Sequence, residues 1–387
     1  MKYIYIYAFF SGMIFDRTLW ILFLKDRSFS LTIIGIFQTF LNLTMAILEI
    51  PSGYISDKIG PKKTLIIAHF FIIFYLLCMI IPLREVSKIV AFIFYGIGLS
   101  LASGSEQSLI YKELLIKKEE SKYQKVIGMY NSIFLFSLTL AIFLGGFIQK
   151  KSWNYIYIAT IVFQIISILF LLYFKKNSSV VVEKEKIDFY KSLKNLKKFL
   201  FLEKNYRYLI LIIAISQGTI SVLYMQAQVL FEEIGLNNQE ISIVFTIISI
   251  LTIFILAKSY LLSEKFSKKT VVFYTLIILL FAFILIGLKH KIIIILAIVI
   301  MHSIFAILDN NLNSILHGEI LDEYRTTLVS IANAFVQTVM FTLFPIISFL
   351  GDIFPMKYLI CLTGIIAIIL CIILNCSFNK NNLKGGD

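Results

Sequence analysis

The feature that most constrains this chain is a series of apolar runs, each about 20 residues long, separated by short polar connections. A helix of that length crosses the roughly 30 Å hydrocarbon core of a bilayer and satisfies its own backbone, as lipid requires of any spanning segment. Twelve runs can be laid out, at roughly 3–24, 32–55, 64–82, 89–111, 125–149, 153–174, 207–231, 240–262, 270–288, 292–316, 326–350 and 355–376. Composition agrees: 59% of the 387 residues are apolar, 15% are charged and the mean hydropathy is +0.88, more apolar surface than a soluble core can hide. The expected fold class is an all-α integral membrane protein. The first run is too long for a signal-peptide core, carries Asp16 and Arg17 and lacks a small-residue cleavage site, so it reads as the first helix.

A polar, Lys-rich segment from Lys175 to Tyr206 interrupts the pattern and divides the chain into residues 1–174, a linker of 175–206 and residues 207–387. Within the linker Phe189, Leu193, Leu196 and Leu200 recur at helical spacing, away from Lys191, Lys194 and Lys198, which suits a helix lying on an anionic membrane surface. A disordered linker is the alternative. The basic residues also set the orientation. With both termini inside, 25 Lys and Arg fall in inner segments and 9 in outer ones, with Arg17 and Lys258 inside spans, so cytoplasmic termini are expected. The net charge of +13 is therefore a topological bias: the cations sit in gaps between apolar runs and are not interleaved with exposed aromatics as in a nucleic-acid surface. Cys78, Cys361, Cys371 and Cys376 show no metal-ligand spacing, and no metal or cofactor is expected.

The two halves echo one another. The connection after the second run reads SDKIGPKKT (Ser56 to Thr64) and the one after the eighth reads SEKFSKKT (Ser263 to Thr270); the fourth run ends SLIYKELL and the tenth SILHGEIL. Asp57 to Glu264 is an offset of 207, and Glu113 to Glu319 one of 206. Two matches at nearly one offset imply parallel six-helix repeats, with a substrate path between the halves.

On these residues the chain resembles the major facilitator superfamily, and within it the bacterial branch assigned to drug or macrolide-type efflux. GYISDKIGPKK fits the superfamily's loop pattern at Gly53, Asp57, Lys58, Gly60 and Lys62; Glu49, Pro51 and Gly53 form a Glu-x-Pro-x-Gly, and SGSEQSLIY and RTTLVS (Arg325 to Ser330) are further matches. The resemblance implies that Asp57 meets the start of the eleventh helix near Arg325 and latches the inner gate; a plain topological turn is the alternative. Gly53 would allow close packing and Gly60 the tight turn. The family's antiport pattern maps onto Ser137, Ala141, Ile142, Gly145 and Gly146 of the fifth run, keeping the small residues and lacking the Pro, and the fourth run lacks the Arg that many antiporters carry.

Charges inside spans are costly and mark function. Asp16 lies about 18 Å along a continuous first helix, near the midplane, and is the first proton-carrier candidate, followed by Glu49 and Glu106, for which structural salt-bridging is the alternative. Arg17 points about 100° away from it and is a candidate for an anionic group of the cargo. Gln217, Gln226, Asp309, Asn310 and Asn313 are expected to face a central cavity. His69, His290, His302 and His317 are scattered, and no H-E-x-x-H or G-x-S-x-G occurs, which leaves an intramembrane enzyme a remote reading. The leading expectation is a monomeric, proton-coupled efflux carrier for a small amphipathic compound in a bacterial plasma membrane, contacting lipid, protons and cargo; an uptake carrier or uniporter for a nutrient is the alternative.

Overall fold

The computed structural model describes residues 2–82, 84–173, 204–319 and 325–384. They form α1 (Lys2–Ser11), α2 (Trp20–Asp26), α3 (Leu31–Ile59), α4 (Pro61–Ile80), α5 (Glu85–Ala102), α6 (Ser105–Ile116), α7 (Tyr123–Gln149) and α8 (Trp153–Tyr173). After the linker come α9 (Lys204–Glu233), α10 (Asn238–Lys258), α11 (Tyr260–Lys265), α12 (Lys268–Ile286), α13 (Lys291–Glu319), α14 (Arg325–Gly351) and α15 (Met356–Lys384). Among the described residues, 11 helices are long and apolar enough to cross a membrane. The twelfth span is the first run, delivered as two shorter helices, so the twelve-span all-α architecture stands. The surface is inverted relative to a soluble protein: Phe70, Phe136, Phe254, Phe281 and Ile366 are all exposed, as a hydrocarbon solvent requires. The predicted segment Lys175–Tyr206 lies outside the described residues, save for the first turn of α9.

Packing groups the chain into two units, Met1–Phe23 with Phe40–Phe189 and Leu24–Thr39 with Tyr190–Asp387. In the first, α1 packs on α7 and α8, and α4 lies between α5 and α8. In the second, α9 packs on α14 and α15, and α12 on α13 and α15. The outset of α3 belongs to the second unit. There Asp352, just past α14, accepts hydrogen bonds from the Leu31 amide (2.9 Å), the Thr32 amide (2.9 Å) and the Thr32 hydroxyl (2.6 Å), filling donors that a helix start leaves open. Glu233 accepts from the Met356 amide at the start of α15, and Lys25 pairs with Glu232.

Three expected spans are not continuous. The first helix stops at Ser11 and resumes at Trp20, the fourth is divided into α5 and α6 at Ser103–Gly104, where Gly104 takes φ +74°, and the eighth is divided into α10 and α11 at Ser259. In each case the helix-period reading of the sequence runs straight through the break.

Candidate functional site

The gap between α1 and α2 is held open by partners from elsewhere in the first unit. The Phe15 amide donates to Thr160 Oγ1 (3.2 Å) on α8, and the Ser11 carbonyl accepts from Gln164 Nε2 (3.4 Å) on the same helix. The Asp16 carbonyl accepts from Leu19 and Trp20, which restarts the helix. Close approach by α7 completes the arrangement. A Cβ on Gly145 would stand 2.4 Å from the Phe15 carbonyl oxygen, and one on Gly12 would stand 2.1 Å from Ser137 Oγ. Ser137, Ala141, Ile142, Gly145 and Gly146 are all buried, so the small-residue stripe read in the fifth run packs against the broken part of the first.

Asp16 sits in this gap, not on a continuous helix, and the rise-based depth expected for it does not apply. The residue is 5% exposed, and among the described residues neither Oδ1 nor the nearby Thr18 Oγ1 has a hydrogen-bond partner. Tyr75 and Tyr95, stacked with centroids 4.1 Å apart, lie within its electrostatic reach. Arg17 is exposed, so the two neighbours diverge as the sequence implies. A buried carboxyl oxygen with no donor is what proton or cation binding would satisfy.

Glu106 lies in the first turn of α6, just past the break at Gly104. Its Oε1 is 3.4 Å from the Tyr7 hydroxyl, and Tyr130 on α7 flanks it. The Tyr7 hydroxyl is 3.0 Å from His69 Nε2, and His69 Nδ1 is 2.6 Å from Gln164 Oε1. Tyr7, His69 and Gln164 form a buried polar chain that sequence reasoning missed, setting His69 aside as scattered. The trace that could have found it is a His and a Gln within otherwise apolar helices, each a burial cost that needs a partner.

In the second unit the polar residues expected to face a cavity mostly have helix-to-helix or local partners. Gln226 is buried and donates to Ser348 Oγ (2.8 Å), Asn310 lies 3.4 Å from Ser259 Oγ, and Asn313 donates to Asp309 Oδ1 (3.1 Å) one turn away. Gln217 is half-buried. His302 lies against Tyr224 with ring centroids 4.0 Å apart and planes tilted by 33°, and 3.3 Å from Thr252 Oγ1.

At the inner connection, Gly53, Asp57 and Lys58 are the last turns of α3, and Gly60 alone joins it to α4 at φ +90° with Pro61 following. Gly60 thus makes the tight turn expected of it. Among the described residues, nothing lies within 4 Å of a Cβ placed on Gly53. Asp57 is exposed. Lys62 donates to the Leu172 carbonyl (3.1 Å) at the end of α8 and feels the Glu113 carboxylate of α6. Its counterpart at the repeat offset, Lys268, donates to Ser314 (2.7 Å) of α13. The two lysines thus bond to different spans of their units, Lys62 to the sixth and Lys268 to the fourth. Glu49 and Arg325 belong to α3 and α14, but their side chains lie outside what the structure describes.

Two repeats of spans, interrupted helices and buried ionisable groups define a transporter fold. The chain belongs to the Major Facilitator Superfamily, whose family model matches residues 3–226 and 208–382. Similar solved structures include the nucleoside transporter NupG (13% identity, TM-score 0.72, 98% of each chain covered). A D-xylose-proton symporter is similar at 13% identity and TM-score 0.69, over 96% of this chain and 97% of that one. The xylose transporter XylE from E. coli, in an inward open conformation, is similar at 14% identity and TM-score 0.68, over 95% and 94%. At such identities the likeness is one of fold. No curated protein matches the chain.

Proposed function

We propose that this protein is a proton-coupled secondary transporter that moves a small molecule across a bacterial plasma membrane by alternating access, as a monomer with cytoplasmic termini. The observation that carries the reading is Asp16: a buried carboxyl with an unpartnered oxygen, placed where the first span loses its helix. Interrupted spans bring backbone polar groups and ionisable side chains to membrane depth only where protein or a water-lined path supports them, and transporters build ion sites that way. In this reading the proton occupancy of Asp16 differs between the inward-open and outward-open states, with Glu106 and Glu49 as further coupling acids, Arg17, Gln217 and Asp309 meeting cargo and Asp57 latching the inner side near Arg325.

Efflux of an amphipathic compound is the direction we favour, because 15% aromatic residues and few buried charges suit a lipophilic cargo better than a sugar. Uptake is the second reading, favoured by the names of two similar structures, a nucleoside transporter and a D-xylose-proton symporter. Both use the same coupling chemistry and differ in which state binds cargo tightly. Reconstituted vesicles with an imposed pH gradient, a panel of nucleosides, sugars and lipophilic cations, and both membrane orientations decide between them. Cargo moving against the proton flux supports efflux, cargo moving with it supports uptake, and transport indifferent to the gradient contradicts the proposal.

A further inference from the structure

The polar chain Glu106–Tyr7–His69–Gln164 fixes its own hydrogens, and the count leaves one over. The Ser11 carbonyl can only accept, so Gln164 must present its Nε2 there and its Oε1 to His69. Oε1 can only accept, so His69 carries a hydrogen on Nδ1. The Ser11 carbonyl is available because α1 ends at that residue: the break in the first span sets the His69 tautomer through Gln164. Two contacts remain, His69 Nε2 to the Tyr7 hydroxyl and the Tyr7 hydroxyl to Glu106 Oε1. Each needs one hydrogen, and Tyr7 supplies one.

We propose that the second hydrogen is a transferable proton, and that Glu106, Tyr7 and His69 form a proton relay in which Glu106 holds the proton at rest and His69 is the buried acceptor. With the proton on Glu106, the carboxyl O–H donates to the Tyr7 oxygen while the Tyr7 O–H donates to neutral His69 Nε2. Transfer breaks the Glu106 O–H bond and forms one at Tyr7, as the original Tyr7 O–H bond breaks and an N–H bond forms at His69 Nε2. The products are a Glu106 carboxylate, an unchanged tyrosine and an imidazolium, and no proton is gained or lost. The distances favour the first arrangement: 3.0 Å from Tyr7 to His69 against a long 3.4 Å to Glu106. Glu106 is half-buried and His69 is 4% exposed, so protons enter at Glu106, rest there, and pass inward to His69 on transfer. The titratable groups around the chain are Tyr130 on α7 and Glu106 on α6; α8 contributes neutral Gln164, and Tyr95 on α5 turns instead toward Tyr75 and Asp16.

The relay rests on the proton-coupled reading, yet it can be tested without transport. In nanodiscs, nitrogen NMR of ¹⁵N-histidine protein, with His69 assigned by difference against His69→Gln, reports its tautomer, and the protonated-carboxyl infrared band, assigned with Glu106→Gln, reports Glu106. The relay predicts neutral His69 with hydrogen on Nδ1, and His69 and Glu106 responding together over one pH interval. Tyr7→Phe should uncouple them, and Gln164→Leu should release the tautomer. Proton-driven transport in Tyr7→Phe should fall by about tenfold, the rate equivalent of one hydrogen bond to a charged group, with cargo binding retained. Hydrogen on Nε2 of neutral His69, or independent responses of the two groups in the unmodified protein, overturns the relay. A shared response in a protein whose transport ignores pH would keep the relay and contradict the transport reading instead.

Discussion

Gly145 lies directly against the carbonyl of Phe15: a Cβ at position 145 would stand 2.4 Å from that oxygen, inside van der Waals contact. Backbone from one helix and backbone from the interruption in another are thus in contact, and only glycine allows it. Gly145→Val should destabilise the protein by about 1–3 kcal/mol, the usual cost of overpacking, and lower transport with it. Gly128→Ala on the same helix is the control: nothing lies within 4 Å of its Cβ, and replacing a helical glycine by alanine stabilises by up to about 1 kcal/mol. Thermal unfolding in detergent measures both, and a Gly145→Val protein as stable as Gly128→Ala would refute the packing account.

Asp352 closes the start of α3, and its loss should be felt there. Asp352→Ala removes three hydrogen bonds, and helix caps are worth about 0.5–2 kcal/mol. A double-mutant cycle with Thr32→Ala should return a coupling of about 1 kcal/mol for the 2.6 Å hydroxyl bond. Strict additivity would mean that the Thr32 hydroxyl bond contributes nothing to stability.

Asp57→Asn tests the latch proposed for the inner side. The amide keeps the size of the acid and removes its charge, worth about 0.3–1 kcal/mol beside a helix start. Exchange of cargo across the membrane should slow about two- to fivefold, with cargo binding nearly unchanged. An Asp57→Asn carrier with full exchange rates would reduce the motif to a topological feature.

The span pattern was legible because lipid imposes it residue by residue: helix length follows bilayer thickness. The small stripe ending at Gly145 and Gly146 was legible too, since close approach leaves glycine and alanine at helical spacing. The interruption at Gly12 to Leu19 was not. No proline marks it, its flanks are as apolar as any helix, and its amide and carbonyl are satisfied by Thr160 and Gln164 about 145 to 153 positions along the chain. His69 was hidden for the same reason: its partners come from α1 and α8, and neither is near it in sequence.

The most direct test of the account is counterflow and uphill accumulation by Asp16→Asn in proteoliposomes. The substitution keeps shape and removes the titratable proton, so a protein that uses Asp16 as its coupling group should lose accumulation driven by a pH gradient while downhill cargo exchange persists. That split between driven transport and exchange is the predicted result. Full gradient-driven accumulation by Asp16→Asn would contradict it and move the coupling to another acid of the first unit.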